Sequence, residues 1–169
     1  FAQYEISSRK NEGFLGRLCA NKIPQQEGSI ILTHMLNEKG RIQSELTITR
    51  FPNNNFYVLS STASEIRDLD WFLQHKKENE HVNIKNITND YGVLVLAGPK
   101  SRDVLSELTN EDLSNEKFPW LKAKEINIAG MQVKALRINY IGELGWELHH
   151  SFKDMENLYD QLMSAGKKY

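Results

Sequence analysis

The feature that most constrains this chain is that its pattern is written twice. Gly40 recurs as Gly130, Leu46 as Leu136, Ile48 as Ile138 and Asp70 as Asp160, an offset of about 90 residues that keeps its phase along the sequence. A chain of 169 residues with such a repeat is expected to fold as two similar lobes.

Each copy reads strand, helix, hairpin, strand, helix. In the first, residues 3–6 form a short strand and residues 12–20 place Phe14, Leu15 and Leu18 on one helical face. In the second, residues 93–97 are an apolar strand, Gly98-Pro99 breaks it, and Val104, Leu105 and Leu108 line the helix that follows. Gly40 and Gly130 suit positive-φ turns and so place a hairpin in each copy. The apolar hairpin positions are Ile42, Leu46 and Ile48 in the first copy, and Met131, Val133, Ala135 and Ile138 in the second. Strands follow at 56–59 and 146–149. Helices then come at 63–75, carrying Ile66, Leu69, Phe72 and Leu73, and at 154–165, carrying Leu158, Leu162 and Met163. Only the first copy continues into a closing strand, at 82–87.

The order β-α-β-β-α-β is the ferredoxin-like unit. The expected class is therefore α+β, with two tandem ferredoxin-like lobes at residues 1–86 and 87–169, each an antiparallel sheet with helices on one face. The second lobe lacks its closing strand, which predicts that a parent protein continues past residue 169. Lobes of roughly 85 residues are small for independent cores, so they are expected to pack together with a ligand between them.

Charge and cysteine content narrow the function. Lys plus Arg number 21 against 22 Asp plus Glu, so no basic field is available to hold a nucleic-acid backbone. The single cysteine, Cys19, excludes an intrachain disulfide framework and a multi-thiolate zinc site, and is expected to be a small buried hydrophobe. The run 93–97 is too short to span a bilayer and the amino end shows no signal pattern, so no membrane role is expected and the reading is an intracellular, reducing compartment.

Two acidic residues stand out. Glu143 lies between Gly142 and Gly145 in the stretch 137–147, a setting that presents one carboxylate to a paired ring N–H and exocyclic amine; the spacing equally fits a charged hairpin tip. Glu45 lies within a strand whose alternation puts Ile42, Ser44 and Leu46 on one face and Gln43 and Glu45 on the other. It is either solvated or turned into a site. His34 has a side chain suited to proton transfer near neutrality, or to a local hydrogen bond. His149 and His150 point to opposite faces of one strand and so cannot share a metal. Nucleophile turns, phosphate-cradling loops and dinucleotide fingerprints are absent from the sequence.

The phrases Thr33-His34-Met35-Leu36, Gly40-Arg41, Glu45-Leu46-Thr47, Lys85-Asn86-Ile87-Thr88 and Tyr140-Ile141-Gly142-Glu143-Leu144-Gly145-Trp146-Glu147-Leu148 resemble the folate-binding domain of the aminomethyltransferase (glycine-cleavage T-protein) family. Within it they are most similar to the carboxy-terminal part of dimethylglycine and sarcosine dehydrogenases. The resemblance implies that tetrahydrofolate is the cofactor, that Glu143 on the Tyr140 loop clamps its pterin, and that Glu45 sits by the reactive nitrogens and assists transfer. The family usually has Asp there, one methylene shorter. Leu32 stands where glycine-cleavage members carry a tyrosine against the folate and Ser61 where many carry asparagine; Leu59 is placed in the same pocket. A family arginine near the folate falls beyond residue 169, so this chain alone is expected to hold part of the pocket.

The implied function is capture of an iminium, made from an N-methylated amine in a separate FAD domain, to give 5,10-methylenetetrahydrofolate. Implied partners are folate, the iminium, and the remainder of a parent chain with its flavin domain and carboxy-terminal barrel. The implied compartment is the bacterial cytoplasm, or the mitochondrial matrix in a eukaryote. Two alternatives stand beside this: a stand-alone aminomethyltransferase acting on a lipoyl-bound group, and a folate-binding module without chemistry.

Overall fold

The strands of the first lobe are β1 (Ala2–Ser8), β2 (Ile30–Leu36), β3 (Ile42–Phe51), β4 (Asn55–Ser60) and β5 (Val82–Asn86), with helices α1 (Glu12–Leu18) and α2 (Glu65–His75). They come from a computed structural model that describes residues 1–8 and 12–169. The sheet is antiparallel in the order β2-β3-β4-β1-β5. Its last four strands have the ferredoxin-like arrangement, and β2 is an added edge strand formed by the outer arm of the Gly40 hairpin. Gly40 sits at φ +70°, and the Asn37 side chain closes the turn by accepting from the amides of Lys39 and Arg41, both at 3.0 Å.

One sheet face is apolar because the strands alternate: Tyr4, Ile6, Leu46, Ile48, Phe56 and Val58 pack with Phe14, Leu15, Leu18 and Phe72 of the helices. Tyr4 meets Phe72 edge-on at 5.5 Å. Two expectations fail here. Met35 pairs with Ser44 but Leu36 with Ile42, leaving Gln43 as an extra residue; this bulge turns Ile42 away from the core, and it is exposed. On α2, Ile66 and Leu73 are also exposed, because the helix docks along the stripe Asp68–Phe72 and buries a carboxylate beside an aromatic ring.

The second lobe comprises β6 (Tyr91–Ala97), α3 (Ser101–Ser106), β7 (Ala123–Ile128), β8 (Met131–Leu136), β9 (Gly145–Ser151) and α4 (Met155–Gly166). Its sheet order is β6-β9-β8-β7. Gly130, at φ +88°, turns the β7–β8 hairpin. The core joins Val133, Ala135, Trp146 and Leu148 to Leu158 and Leu162 of α4. Leu113 and Phe118, from the connection between α3 and β7, complete it, with Phe118 edge-on to Trp146 at 6.1 Å. Ile138 lies past the end of β8, and Leu136 takes the buried position instead.

By contact density the chain divides into Phe1–Thr88 and Asn89–Tyr169. Both lobes are α+β with antiparallel sheets, the tandem ferredoxin-like architecture. Among the described residues, no helix is long and apolar enough to cross a membrane.

Candidate functional site

Glu45 opens from β3 into a hollow of about 330 Å³ in the first lobe, walled by Thr47, Leu59, Ser60, Ser61 and Arg67. Thr47 and Leu59 are register partners across β3 and β4, so their side chains share the face that carries Glu45. The structure thus brings together Glu45, Leu59 and Ser61. Leu32 pairs with Thr47 from β2 and is half exposed beside the hollow, outside its lining.

A buried polar lock lies under the hollow. Ser44 Oγ donates to Asp68 Oδ2 at 2.8 Å, and the fully buried Asp68 takes the Arg67 guanidinium on Oδ1 at 3.2 Å. Arg67 Nη2 donates to Ser64 Oγ at 2.8 Å, which fixes the guanidinium on the rim. A buried carboxylate is tolerated only with such partners. The lock ties α2 to the strand residue preceding Glu45. Nearby, the Tyr4 hydroxyl donates to the Glu65 carbonyl at 2.8 Å, and burial pushes its phenol up to about 12. Ser60 Oγ lies beside that hydroxyl and is itself buried. Sequence reasoning missed Ser44, Arg67 and Asp68. The available signal was Asp68 itself, an acid four residues before Phe72 on the buried stripe of a helix.

Tyr140 and Glu143 sit on the loop between β8 and β9. Its base is tightly built: Leu144 carbonyl accepts from Gly98 N at 2.8 Å and Ser101 Oγ at 2.9 Å, and Asn139 Nδ2 donates to the Glu143 carbonyl at 2.7 Å. Gly145 is required by space, since a Cβ there would lie 2.7 Å from Leu96 O and 2.9 Å from Ala97 Cα. Gly142, at φ +76°, lets the chain reverse. Tyr140 is fully exposed, and the Glu143 carboxylate meets no partner among the described residues. A rigid base with an open acidic tip suits recognition of N–H donors.

Other titratable groups are committed elsewhere. His149 contacts Glu147 at 3.2 Å and His150 Nδ1 lies 2.9 Å from the Gly92 carbonyl. Burial holds both rings below the usual histidine range, Glu147 partly opposing this for His149 and the His149 charge adding to it for His150. Burial pushes the Cys19 thiol up to about 12. Among the described residues no group of three His, Cys, Asp or Glu is placed to hold a metal. A larger hollow, of about 450 Å³, lies at Ser106–Glu111 and Asn127–Gly130, but its acids are already paired, Glu107 with Lys168 and Glu111 with Lys124.

Tandem ferredoxin-like lobes, with one acid opening into a mixed apolar and hydroxyl-lined hollow and another on a braced loop, define a small-ligand-binding α+β domain. The model of the GCVT N-terminal domain matches residues 1–169, and the chain belongs to that family. It is 41% identical over 169 residues to mouse dimethylglycine dehydrogenase, mitochondrial, covering 99% of this chain and 19% of that protein. It is 30% identical over 165 residues to the aminomethyltransferase of Thermoanaerobacter sp. (strain X514), covering 97% of this chain and 44% of that one. The chain therefore spans less than half the length of either relative. The glycine cleavage system aminomethyltransferase T of Bartonella henselae shares the fold, with a TM-score of 0.83 at 18% identity, over 99% of this chain and 44% of that chain.

Proposed function

We propose that this domain binds tetrahydrofolate and serves one-carbon transfer, as part of a longer dimethylglycine dehydrogenase-like protein whose separate FAD domain oxidises an N-methylated amine. The observation that carries the reading is the opening of Glu45 into the hollow with Leu59 and Ser61. The lining suits a reduced pterin: Leu59 and Thr47 offer a wall, Ser61 a hydroxyl, and Glu45 a carboxylate for an N–H. Bound there, tetrahydrofolate supplies the nitrogens that accept the one-carbon unit.

The chain's own residues divide the remaining work. Glu45 takes a proton from the attacking nitrogen as the carbon–nitrogen bond forms. Glu143, on the loop that carries Tyr140, is assigned the paired N–H donors of the ring. Leu32, Leu59 and Ser61 complete the contact surface, so that orientation contributes several kcal/mol to lowering the barrier. The 41% identity to a dehydrogenase against 30% to an aminomethyltransferase favours the dehydrogenase reading over a stand-alone transferase. The mitochondrial name of the former supports a matrix location in a eukaryote.

Calorimetric titration of folinic acid into this chain and into a Glu143→Ala variant tests the reading. We expect the variant to bind at least about tenfold more weakly. Equal binding by both would remove the clamp, and failure of both this chain and the longer protein to bind would overturn the folate reading.

A further inference from the structure

We infer that His34 is the positioning residue for Glu45, an inference that rests on the role proposed for that glutamate. The two residues are direct partners in the β2–β3 register, and His34 Nε2 lies 3.5 Å from Glu45 Oε2. Among the described residues this is the one polar side-chain contact that either of them makes. A glutamate has three rotatable bonds, and a carboxylate that must meet one nitrogen in one geometry gains from a neighbour that restricts them.

The backbone is arranged to hold this neighbour still. On the Glu45 side, the buried Ser44–Asp68 hydrogen bond pins β3 one residue away. On the His34 side, β2 would be a free edge, but residues 19–21 brace it at the same level. Ala20 N donates to the His34 carbonyl at 2.9 Å, Asn21 N to Thr33 Oγ1 at 3.0 Å, and Asn21 Nδ2 to the Leu32 carbonyl at 2.8 Å. Cys19 bridges to Met35 beside them. The bulge at Gln43 follows immediately, ending regular pairing just beyond the pair. An edge strand fastened on both sides at one histidine is a rigid mount for its ring. Glu45 also reaches the hollow while His34 remains outside its lining, so the histidine can hold the carboxylate without occupying ligand space.

Side-chain NMR of Glu45 at one fixed pH, in this chain and in His34→Ala, reads the contact without any assay of activity. We expect the Glu45 side chain to favour one rotamer in the unaltered chain and to average over several in His34→Ala. Equal averaging in both chains would overturn the inference.

Kinetics of folate-dependent capture in the full-length protein separate the two readings. We expect His34→Ala to lower kcat about tenfold with KM for folate unchanged, His34→Gln to recover most of the loss, and His34→Ala to add nothing to Glu45→Gln. A slow Glu45→Gln with a full-rate His34→Ala overturns the positioning role alone. A full-rate Glu45→Gln overturns the role of Glu45 and this inference with it.

Discussion

The two lobes share one order of elements yet present their acids in opposite ways. In the first, Glu45 stands in the middle of a paired strand, beside a buried Ser44–Asp68 lock, and its surroundings are set by side-chain packing from α2. In the second, Glu143 rides on a loop whose position is set by backbone bonds to Leu144 and by the close approach at Gly145. A strand gives an acid a fixed direction with little freedom of placement, whereas a loop can project one beyond the sheet if its base is tight. A duplicated scaffold can therefore present one acid from a strand in one copy and another from a loop in the other.

The largest test of this contrast is steric. Gly145→Ala puts a methyl group 2.7 Å from Leu96 O, so backbone must move, and we expect a loss of about 3 kcal/mol in denaturant unfolding. Gly40→Ala meets open space and suffers only the cost of φ +70°, about 1 kcal/mol. Equal losses would mean that the loop base is less tightly packed than its contacts indicate.

Next comes the lock. Asp68→Ala leaves Ser44 Oγ without its acceptor and Arg67 without its carboxylate, for an expected loss of about 2 kcal/mol in the same unfolding measurement. A loss within about 0.5 kcal/mol would show that α2 is held by its other contacts, Phe72 and the Tyr4–Glu65 hydrogen bond among them.

The smallest effect comes with acid and belongs to the second lobe. His149 and His150 have folded-state values pushed below 6.5, chiefly by burial, so the unfolded chain takes up protons that the folded chain refuses. Their contribution to stability is whole above pH 6.5 and is lost as pH falls from there through the depressed values. The expected slope is up to about 1.4 kcal/mol per pH unit for each ring. Unfolding measured from pH 7.5 to 5.5 should show it, with the slope about halved in His149→Gln; an unchanged slope in that variant would assign the effect elsewhere.

The sequence was informative where chemistry is local. Gly40 and Gly130 marked both hairpins because each occupies a positive φ, and the run of apolar residues at 93–97 marked β6. It was uninformative where the answer depends on a partner element. Nothing near Ile42 announces the bulge that turns it outward, since the extra residue, Gln43, is defined by its pairing with β2. Ile66 and Leu73 belong to an apolar helical pattern, but the stripe that docks is the one whose acid finds Ser44 on β3. For the site, Leu59 and Ser61 of the lining were named through family resemblance, while Thr47, Ser60 and Arg67 come to Glu45 only through strand pairing and the docking of α2.

The placement of β6 has a consequence for what this sheet can accept. Its counterpart β1 lies between β4 and β5, but β6 is the outermost strand of its sheet, and half of Val95 is exposed on it. The strand reads Tyr-Gly-Val-Leu-Val-Leu-Ala, with no charge and no proline. A row of amides and carbonyls open along a strand among the described residues is a place where one more antiparallel strand can be added. The same uncharged run that made β6 easy to read thus also suits it to take a neighbour on that side.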